Sequence, residues 1–386
     1  MKQSLSRLLE QAASSDYFCF LNPNDYSGGF PLVLASGDSV VSWECLPSNP
    51  SEDYFGFLSF DSKNEIFQNL KSNNTSWQNF PASTFFKADQ LWNKDQFLYD
   101  LDVEDVQLPD VVFDQKVSRN EYIFTVDKIK QHILNGDVYE LNYCIPFVVE
   151  NVELNVVSLY KKLNLISPMP FSALLKLKEN WLICASPERY LKKSNRKVVS
   201  QPIKGTIRRG ATNEEDIRLI KELKESEKER AENLMIVDLV RNDLNRCCKV
   251  KSVQVDELFG IYEFPQVYQM ISTVSGELEA DEDIKSIIKK TFPMGSMTGA
   301  PKLKALELIE KYEIAKRGVF SGSVGYVSKD NNADFNVVIR SLIYNESTKI
   351  LSFMVGSAIT YDCDAEKEYE ECLLKASAIK KCFNIT

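Results

Sequence analysis

Trp181-Leu182-Ile183-Cys184-Ala185-Ser186-Pro187-Glu188 and Lys197-Val198-Val199-Ser200-Gln201-Pro202-Ile203-Lys204-Gly205-Thr206 are separated by a polar turn at Ser194-Asn195-Arg196. Both are short apolar or alternating runs that end on Pro or Gly, the pattern of β-strands. The spacing predicts a hairpin of 181–185 with 197–200, which would bring Glu188 near Lys204. A carboxyl group beside an amine in a closed site suits an acid and a nucleophile, because burial can lower a lysine pKa toward neutrality. The same pair also suits an ordinary cross-strand ion pair, and the residues alone leave both readings open.

Upstream, residues 118–135 carry Tyr122, Ile123, Val126, Ile129 and Ile133 at helical spacing, with Gly136 just past the end. Strand-like runs fit 143–149 and 170–176. Downstream, Thr212-Asn213-Glu214-Glu215 has capping-box form and opens a charged helix to about residue 229, followed by a second at 230–242. Further helices fit 283–291, 302–312 and 366–382, and strands fit 318–328, 334–344 and 349–355. The first 110 or so residues read as short strands broken by turns, after a short amphipathic helix marked by Leu5, Leu8 and Leu9. The acidic, Pro-interrupted stretch from Asp102 to Asp114 resembles a linker. Antiparallel-looking strands with helices in blocks between them make an α+β protein whose sheets are covered by helices.

Composition narrows the chemistry. The 386 residues carry a net charge of −9 without a basic cluster, which argues against a nucleic-acid partner. No apolar run approaches the ~18 residues of a membrane span, and the N-terminus lacks a signal-peptide core. Nine cysteines without a CxxC spacing suit reduced thiols in the cytoplasm. A single histidine, His132, rules out multi-His metal sites, and its setting reads as an ordinary helix position. Acid, base and nucleophile are therefore expected from Glu, Asp and Lys.

Three carboxylates stand out. Glu232 shares a helix face with Ile236 and Leu239, so it is a metal ligand or catalytic group, or else an ion-pair partner of Lys228 or Arg230. Glu368 and Glu371 share one face of the last helix, a spacing that suits Mg²⁺, although Glu371 with Lys375 is equally an i,i+4 ion pair. Gly295 to Lys302 and Gly356-Ser357-Ala358 could each offer backbone N–H groups to an anion, or form plain turns.

Eight segments occur in a fixed order: Gly136-Asp137-Val138-Tyr139-Glu140-Leu141-Asn142, Ala185 to Arg189, Pro202 to Thr206, Glu232 to Asp243, Phe292 to Lys302, Ser321 to Tyr326, Val338-Ile339-Arg340, and the helix of Glu368 and Glu371. Together they resemble the chorismate-utilising enzymes over roughly residues 118–382. The resemblance implies a large α/β sandwich of two mainly antiparallel sheets with helices outside. It divides the chain into a shortened N-terminal region, 1–117, packed into the same fold, and a chorismate-binding catalytic domain, 118–386. Chorismate and Mg²⁺ are the shared substrate and cofactor. The residue that separates the branches is Lys204, where anthranilate synthases typically carry Ala and aminodeoxychorismate synthases carry Lys.

What the resemblance implies is a covalent route. Lys204 attacks C2 of chorismate while Glu188 protonates the departing C4 hydroxyl, and ammonia then adds at C4 and expels the lysine. Glu232 and Glu371 would hold Mg²⁺ on the ring carboxylate, with Glu368 assisting through water. Arg340 and Tyr326 would grip the pyruvyl carboxylate. Gly356 and Thr298 would supply neutral donors, and Thr206, Gly299, Ser357 and Lys375 complete the expected substrate contacts. Ammonia would come from solution or from a glutamine amidotransferase subunit, since no glutaminase motif is present. Three features depart from the family pattern: Gln269 stands where a histidine is common, Ala358 replaces a glycine, and a tryptophan-binding motif is not evident. Anthranilate synthase, isochorismate synthase and a non-catalytic chorismate binder are the alternatives.

Overall fold

The computed structural model describes residues 2–101 and 108–385. Among them, two sheets of ten strands each carry the fold. The first runs from Gly299–Ala300 through Glu140–Val149, Ile350–Ile359, Ser341–Asn345, Asn180–Ser186, Phe171–Leu177, Tyr17–Asn22 and Val33–Ser36 to Gln90–Asn93. The second runs from Ile203–Arg208 through Val267–Glu277, Lys197–Gln201, Arg189–Ser194, Ala333–Asn336, Ser323–Val327, Tyr54–Leu58 and Ser83–Lys87 to Val40–Val41. Their ladders are antiparallel, which is the expected α+β sandwich. Strands from 17–93 enter both sheets, so no sheet boundary falls near residue 117.

Alternation along the strands divides the core in two. In the first sheet Leu141, Tyr143, Ile145, Phe147, Trp181, Ile183 and Ala185 join the helices 5–12, 119–134, 156–166, 302–312 and 365–380 in one cluster. Their neighbours Cys144, Leu182 and Cys184 join Phe57, Leu191, Val198 and Phe335 of the second sheet in the other. Residues two apart point to the same face, so even positions of the 140–149 strand look into the space between the sheets. Glu140 and Asn142 are the polar members of that inward series.

The expected hairpin needs correcting. The 180–186 strand pairs with 171–177 and 341–345 in the first sheet. The partner of 197–201 is a separate strand, Arg189–Ser194, in the second sheet. The chain therefore passes from one sheet to the other at Pro187-Glu188, where the sequence signal was read as a strand end. The expected strand 334–344 is split in the same way into 333–336 of the second sheet and 341–345 of the first, with the passage at 337–340. The two passages lie side by side: Val337 N donates to Glu188 O at 3.0 Å, Ser186 Oγ to Val337 O at 2.6 Å and Ala185 N to Arg340 O at 3.2 Å.

Other boundaries shift less. The 119–134 helix starts with a full capping box between Ser118 and Glu121. The helix opened by Thr212 ends at Glu225, because Ser226 leaves helical geometry and caps a second helix, Glu227–Asn245. The strand expected at 318–328 is confined to 323–327. Of the expected linker, 102–107 lie outside the described residues, and Asp114–Gln115 pair with the 140–149 strand. His132 sits near the end of its helix, where its ring bonds Asp137 Oδ2 at 2.6 Å and Tyr312 OH at 3.0 Å.

Candidate active site

Lys204 owes its aim to a bulge. The 203–208 strand pairs with 267–277 at Ile203 and again from Thr206 onward, with a register shift between them. Gly205 takes φ +97° inside that shift, a conformation only glycine adopts without strain. Such a bulge bends the strand and redirects the side chain beside it. Asn233 of the 227–245 helix fixes the bulge by donating to Lys204 O at 3.2 Å and Met270 O at 3.3 Å.

The Lys204 ammonium, 11 % exposed, donates to Glu140 Oε1 at 2.8 Å. Burial alone would lower its pKa, but the charge and hydrogen bond of Glu140, with the charges of Glu232 and Glu371, outweigh burial and hold it well above the ordinary lysine range. The expected drop toward neutrality is therefore not found: carboxylates surround this amine. Glu140 is the partner missed in the sequence, although a carboxylate heading the otherwise apolar run 140–149 was its signal.

Glu188 sits at the sheet passage, 4 % exposed, and accepts from Ser296 Oγ at 2.6 Å. Burial pushes its carboxyl up to about 7, against the lowering by that hydrogen bond and by the charge of Lys204. It is close enough to Lys204 to feel its charge but is not its ion-pair partner. Ser296 also escaped the sequence reading, which took Thr298 and Gly299 from the same loop.

Arg340 occupies the neighbouring passage with φ +52°. Burial lowers its pKa to about 10, partly offset by Glu188. Its guanidinium makes no ion pair among the described residues, and its one hydrogen bond there is to Met169 Sδ at 3.9 Å. Other strongly buried arginines are fully engaged: Arg189 with Asp334 and Arg317 with Glu313. A desolvated cation without a counter-ion is an anion receptor. Among the described residues Tyr326 makes no hydrogen bond to it. That ring stacks on Phe55 at 5.8 Å, and the charges acting on its hydroxyl are those of Asp334, Arg189 and Asp53.

The carboxylates expected to hold a metal stand on two helices and are tied to lysines. Lys228 lies 3.8 Å from Glu232 and 3.4 Å from Glu368, and Lys375 lies 2.6 Å from Glu371. Burial raises Glu232 to about 7 and also raises Glu368. The Lys375 pair overrides burial at Glu371 and lowers it. Glu229, not singled out in the sequence, adds a further half-buried carboxylate whose pKa burial raises. Among the described residues no three side chains stand arranged as a ready metal site.

The remaining expected contacts divide. Thr206 Oγ1 accepts from Gln269 Nε2 at 3.4 Å, while Gln269 Oε1 is buried without a partner. Gly356 could not carry a side chain, since a Cβ there would meet Cys144 Sγ at 2.5 Å and Asn142 Oδ1 at 2.8 Å. A Cβ at Gly299 would meet Glu140 O at 2.1 Å. Lys375 Nζ donates to Gly356 O at 2.9 Å. Two hydroxyls are already used: Thr298 Oγ1 donates to Met294 O and Gly295 O, and Ser357 Oγ bonds Tyr122 OH at 2.7 Å on the helix-covered side. The Thr298 backbone is engaged as well, its N–H donating to Gly295 O at 3.1 Å and its carbonyl accepting from Asn142 N at 2.8 Å.

A buried lysine, a carboxylic acid and an unpaired arginine thus converge between two sheets, and a family model described as chorismate binding enzyme matches residues 38–381. The chain belongs to that family. Aminodeoxychorismate synthase component 1 of Bacillus subtilis is 38% identical over 262 residues, 68% of this chain and 55% of its own length. The probable chloroplastic aminodeoxychorismate synthase of Oryza sativa is 41% identical over 267 residues, 68% of this chain and 30% of its own length. Anthranilate synthase component 1 of Aquifex aeolicus is 37% identical over 268 residues, 69% of this chain and 54% of its own length. The chain thus spans about half or less of these curated relatives. In structure, anthranilate synthase component I of Streptococcus pneumoniae superposes with a TM-score of 0.77 at 24% identity, over 94% of this chain and 92% of that one. That likeness bears on the fold of this chorismate-binding enzyme. Among its described residues no helix is long and apolar enough to cross a membrane.

Proposed function

We propose that this chorismate-binding enzyme is the aminating component of an aminodeoxychorismate synthase, converting chorismate and ammonia to 4-amino-4-deoxychorismate. The observation that carries the reading is Lys204, an amine aimed by a glycine bulge into the space between the sheets beside a carboxyl group raised to about 7. Glu188 in its acid form protonates the C4 hydroxyl as the Lys204 Nζ–C2 bond forms. The ring double bonds shift and water leaves. Ammonia then adds at C4 as the Nζ–C2 bond breaks, and Glu188 takes the proton released from the new ammonium group. Arg340 holds a substrate carboxylate.

The donor chemistry fits Mg²⁺: Glu232, Glu368 and Glu371 offer hard oxygens, and these carboxylates outnumber the two lysines, Lys228 and Lys375, paired with them. When bound, the ion would polarise the ring carboxylate of the substrate. Lys228 and Lys375 stand in for positive charge at those oxygens. Ammonia is supplied by a glutamine amidotransferase partner, and the free cysteines suit a reducing compartment such as the cytosol.

Purified protein with chorismate, Mg²⁺ and ammonium tests the reading by the mass of the product. 4-Amino-4-deoxychorismate supports it; anthranilate or isochorismate moves the chain to a sister branch. No turnover, with binding of chorismate unchanged by Lys204→Ala, makes it a non-catalytic binder.

A further inference from the structure

A lysine must be neutral to attack carbon, yet Lys204 is held as an ammonium. Five carboxylates act on it from the surrounding elements: Glu140 of the 140–149 strand, Glu188 of the sheet passage, Glu229 and Glu232 of the 227–245 helix, and Glu371 of the last helix. Four of them are unsuited to take its proton. Glu188 is hydrogen-bonded by Ser296 and has its own proton to deliver to the leaving hydroxyl. Glu232 lies against Lys228 and Glu371 against Lys375. Glu229 packs over Gly205, its Oε2 3.2 Å from where a Cβ would stand, and makes no hydrogen bond to the amine among the described residues.

Among the described residues Glu140 alone accepts a hydrogen bond from Lys204 Nζ, at 2.8 Å. Its side chain is 2% exposed and its Oε2 is buried without a partner. The lysine is thus the main support of its negative charge. We propose that Glu140 is the base that takes the proton from Lys204 as the amine attacks chorismate. This deepens the reading of the chain as an aminating enzyme and rests on it.

The proton moves along the existing hydrogen bond from Nζ to Oε1, and the freed electron pair forms the Nζ–C2 bond. Transfer leaves both members of the pair neutral; on bonding to C2 the nitrogen becomes a secondary ammonium, whose charge is matched by the Glu188 carboxylate formed as the C4 oxygen takes its proton. Glu140 keeps the proton through the covalent adduct. It returns it to Nζ when the Nζ–C2 bond breaks, so the residue ends each turnover as it began. Glu188 handles the second proton independently, giving it to the C4 oxygen and recovering one from the C4 ammonium.

The pair carries one proton in both its resting and reactive forms, so its reactive fraction does not change with pH while the pair holds that proton. With an amide at 140 the lysine must lose its proton to solvent, and the reactive fraction climbs about tenfold per pH unit. The test is the rate of aminodeoxychorismate formation by the full chain, wild type against Glu140→Gln, between pH 6 and 8. Saturating chorismate and matched total ammonium make free ammonia and Glu188 ionisation affect both proteins alike. The ratio of variant to wild-type rate is expected to rise about a hundredfold across that range. Glu140→Asp, which keeps the carboxylate, should give a constant ratio.

A ratio for Glu140→Gln that stays constant with pH, in a variant with wild-type melting temperature, overturns the proposal. If the amide variant does not fold, Glu140→Ala with added formate decides: rescue in the variant but not in wild type supports the base, and no rescue overturns it. A wild-type chain that makes no aminodeoxychorismate overturns the underlying reading instead, which the product mass shows before any variant is compared.

Discussion

Lys204 Nζ lies 2.8 Å from Glu140 Oε1, across from the first sheet to the second, while Glu188, its nearer partner in sequence, is bonded to Ser296. The site is built from a long-range pair 64 residues apart and not from a local hairpin. Its consequences can be measured.

Lys204→Ala removes the amine and leaves Glu140 buried without its cation. Breaking a buried pair in this way costs about 3 kcal/mol or more. Urea denaturation at pH 8 should show that loss, and the double variant Lys204→Met with Glu140→Gln should recover most of it. Neither protein should form 4-amino-4-deoxychorismate. Turnover by Lys204→Ala at the wild-type rate would remove the lysine from the chemistry.

Glu188 carries a folded-state pKa raised from about 4.5 to about 7 by burial. The folded state therefore binds more protons than the unfolded chain between those values, and stability must fall as pH rises from 4.5 to 7. The difference amounts to roughly 3 kcal/mol. Glu188→Gln should flatten that part of the stability–pH curve, and Glu232, raised for the same reason, should contribute a parallel fall. A stability curve that climbs over this interval and is unaltered by Glu188→Gln would contradict the assignment.

Arg340 is desolvated without a counter-ion, so replacing it should not harm the fold. Arg340→Gln is expected to keep or raise the melting temperature. It should weaken chorismate binding by roughly 2–3 kcal/mol, on the order of a hundredfold, because a charge-assisted hydrogen bond is lost. Isothermal titration measures both wild type and variant. Equal affinities would mean that the substrate carboxylate is held elsewhere.

Gly205→Ala forces a side chain into φ +97° and toward Glu229. A loss of about 1–2 kcal/mol in stability is expected. Activity should fall further than stability accounts for, because the bulge that aims Lys204 is deformed. A variant with normal rates would show that the bulge is incidental.

Mg²⁺ should raise the melting temperature of the wild-type chain, since it binds the folded carboxylates and not the dispersed ones. Glu232→Gln and Glu371→Gln should each reduce the shift. A shift of wild-type size in both variants would relocate the metal.

Much of the fold was legible because periodicity is local. Helix 119–134 was readable from spacing and the glycine past its end, and helix 302–312 as a helical stretch with the same bounds. The passages at 187–188 and 337–340 were not, because a strand leaving one sheet for another keeps its extended pattern and changes only its partners. That is why 181–185 was paired with 197–200 and why 334–344 read as one strand. At the site, Glu188 and Lys204 were visible as chemistry, but the state of Lys204 was misjudged. Burial could be guessed from sequence, whereas the carboxylates that decide the sign, Glu140, Glu232 and Glu371, come from distant segments. Glu140 went unassigned for the same reason, and the ring of Tyr326, grouped with Arg340 in the sequence, stacks on Phe55.

The paired passages set limits on how such a scaffold diversifies. Glu188 and Arg340 stand on backbone that belongs to both sheets and is stitched to itself through Val337 and Ala185. Insertions or loop remodelling, the usual route to new specificity in proteins whose sites sit on loops, would tear that seam and the sandwich with it. New chemistry on this frame has to come by exchanging single side chains on fixed backbone.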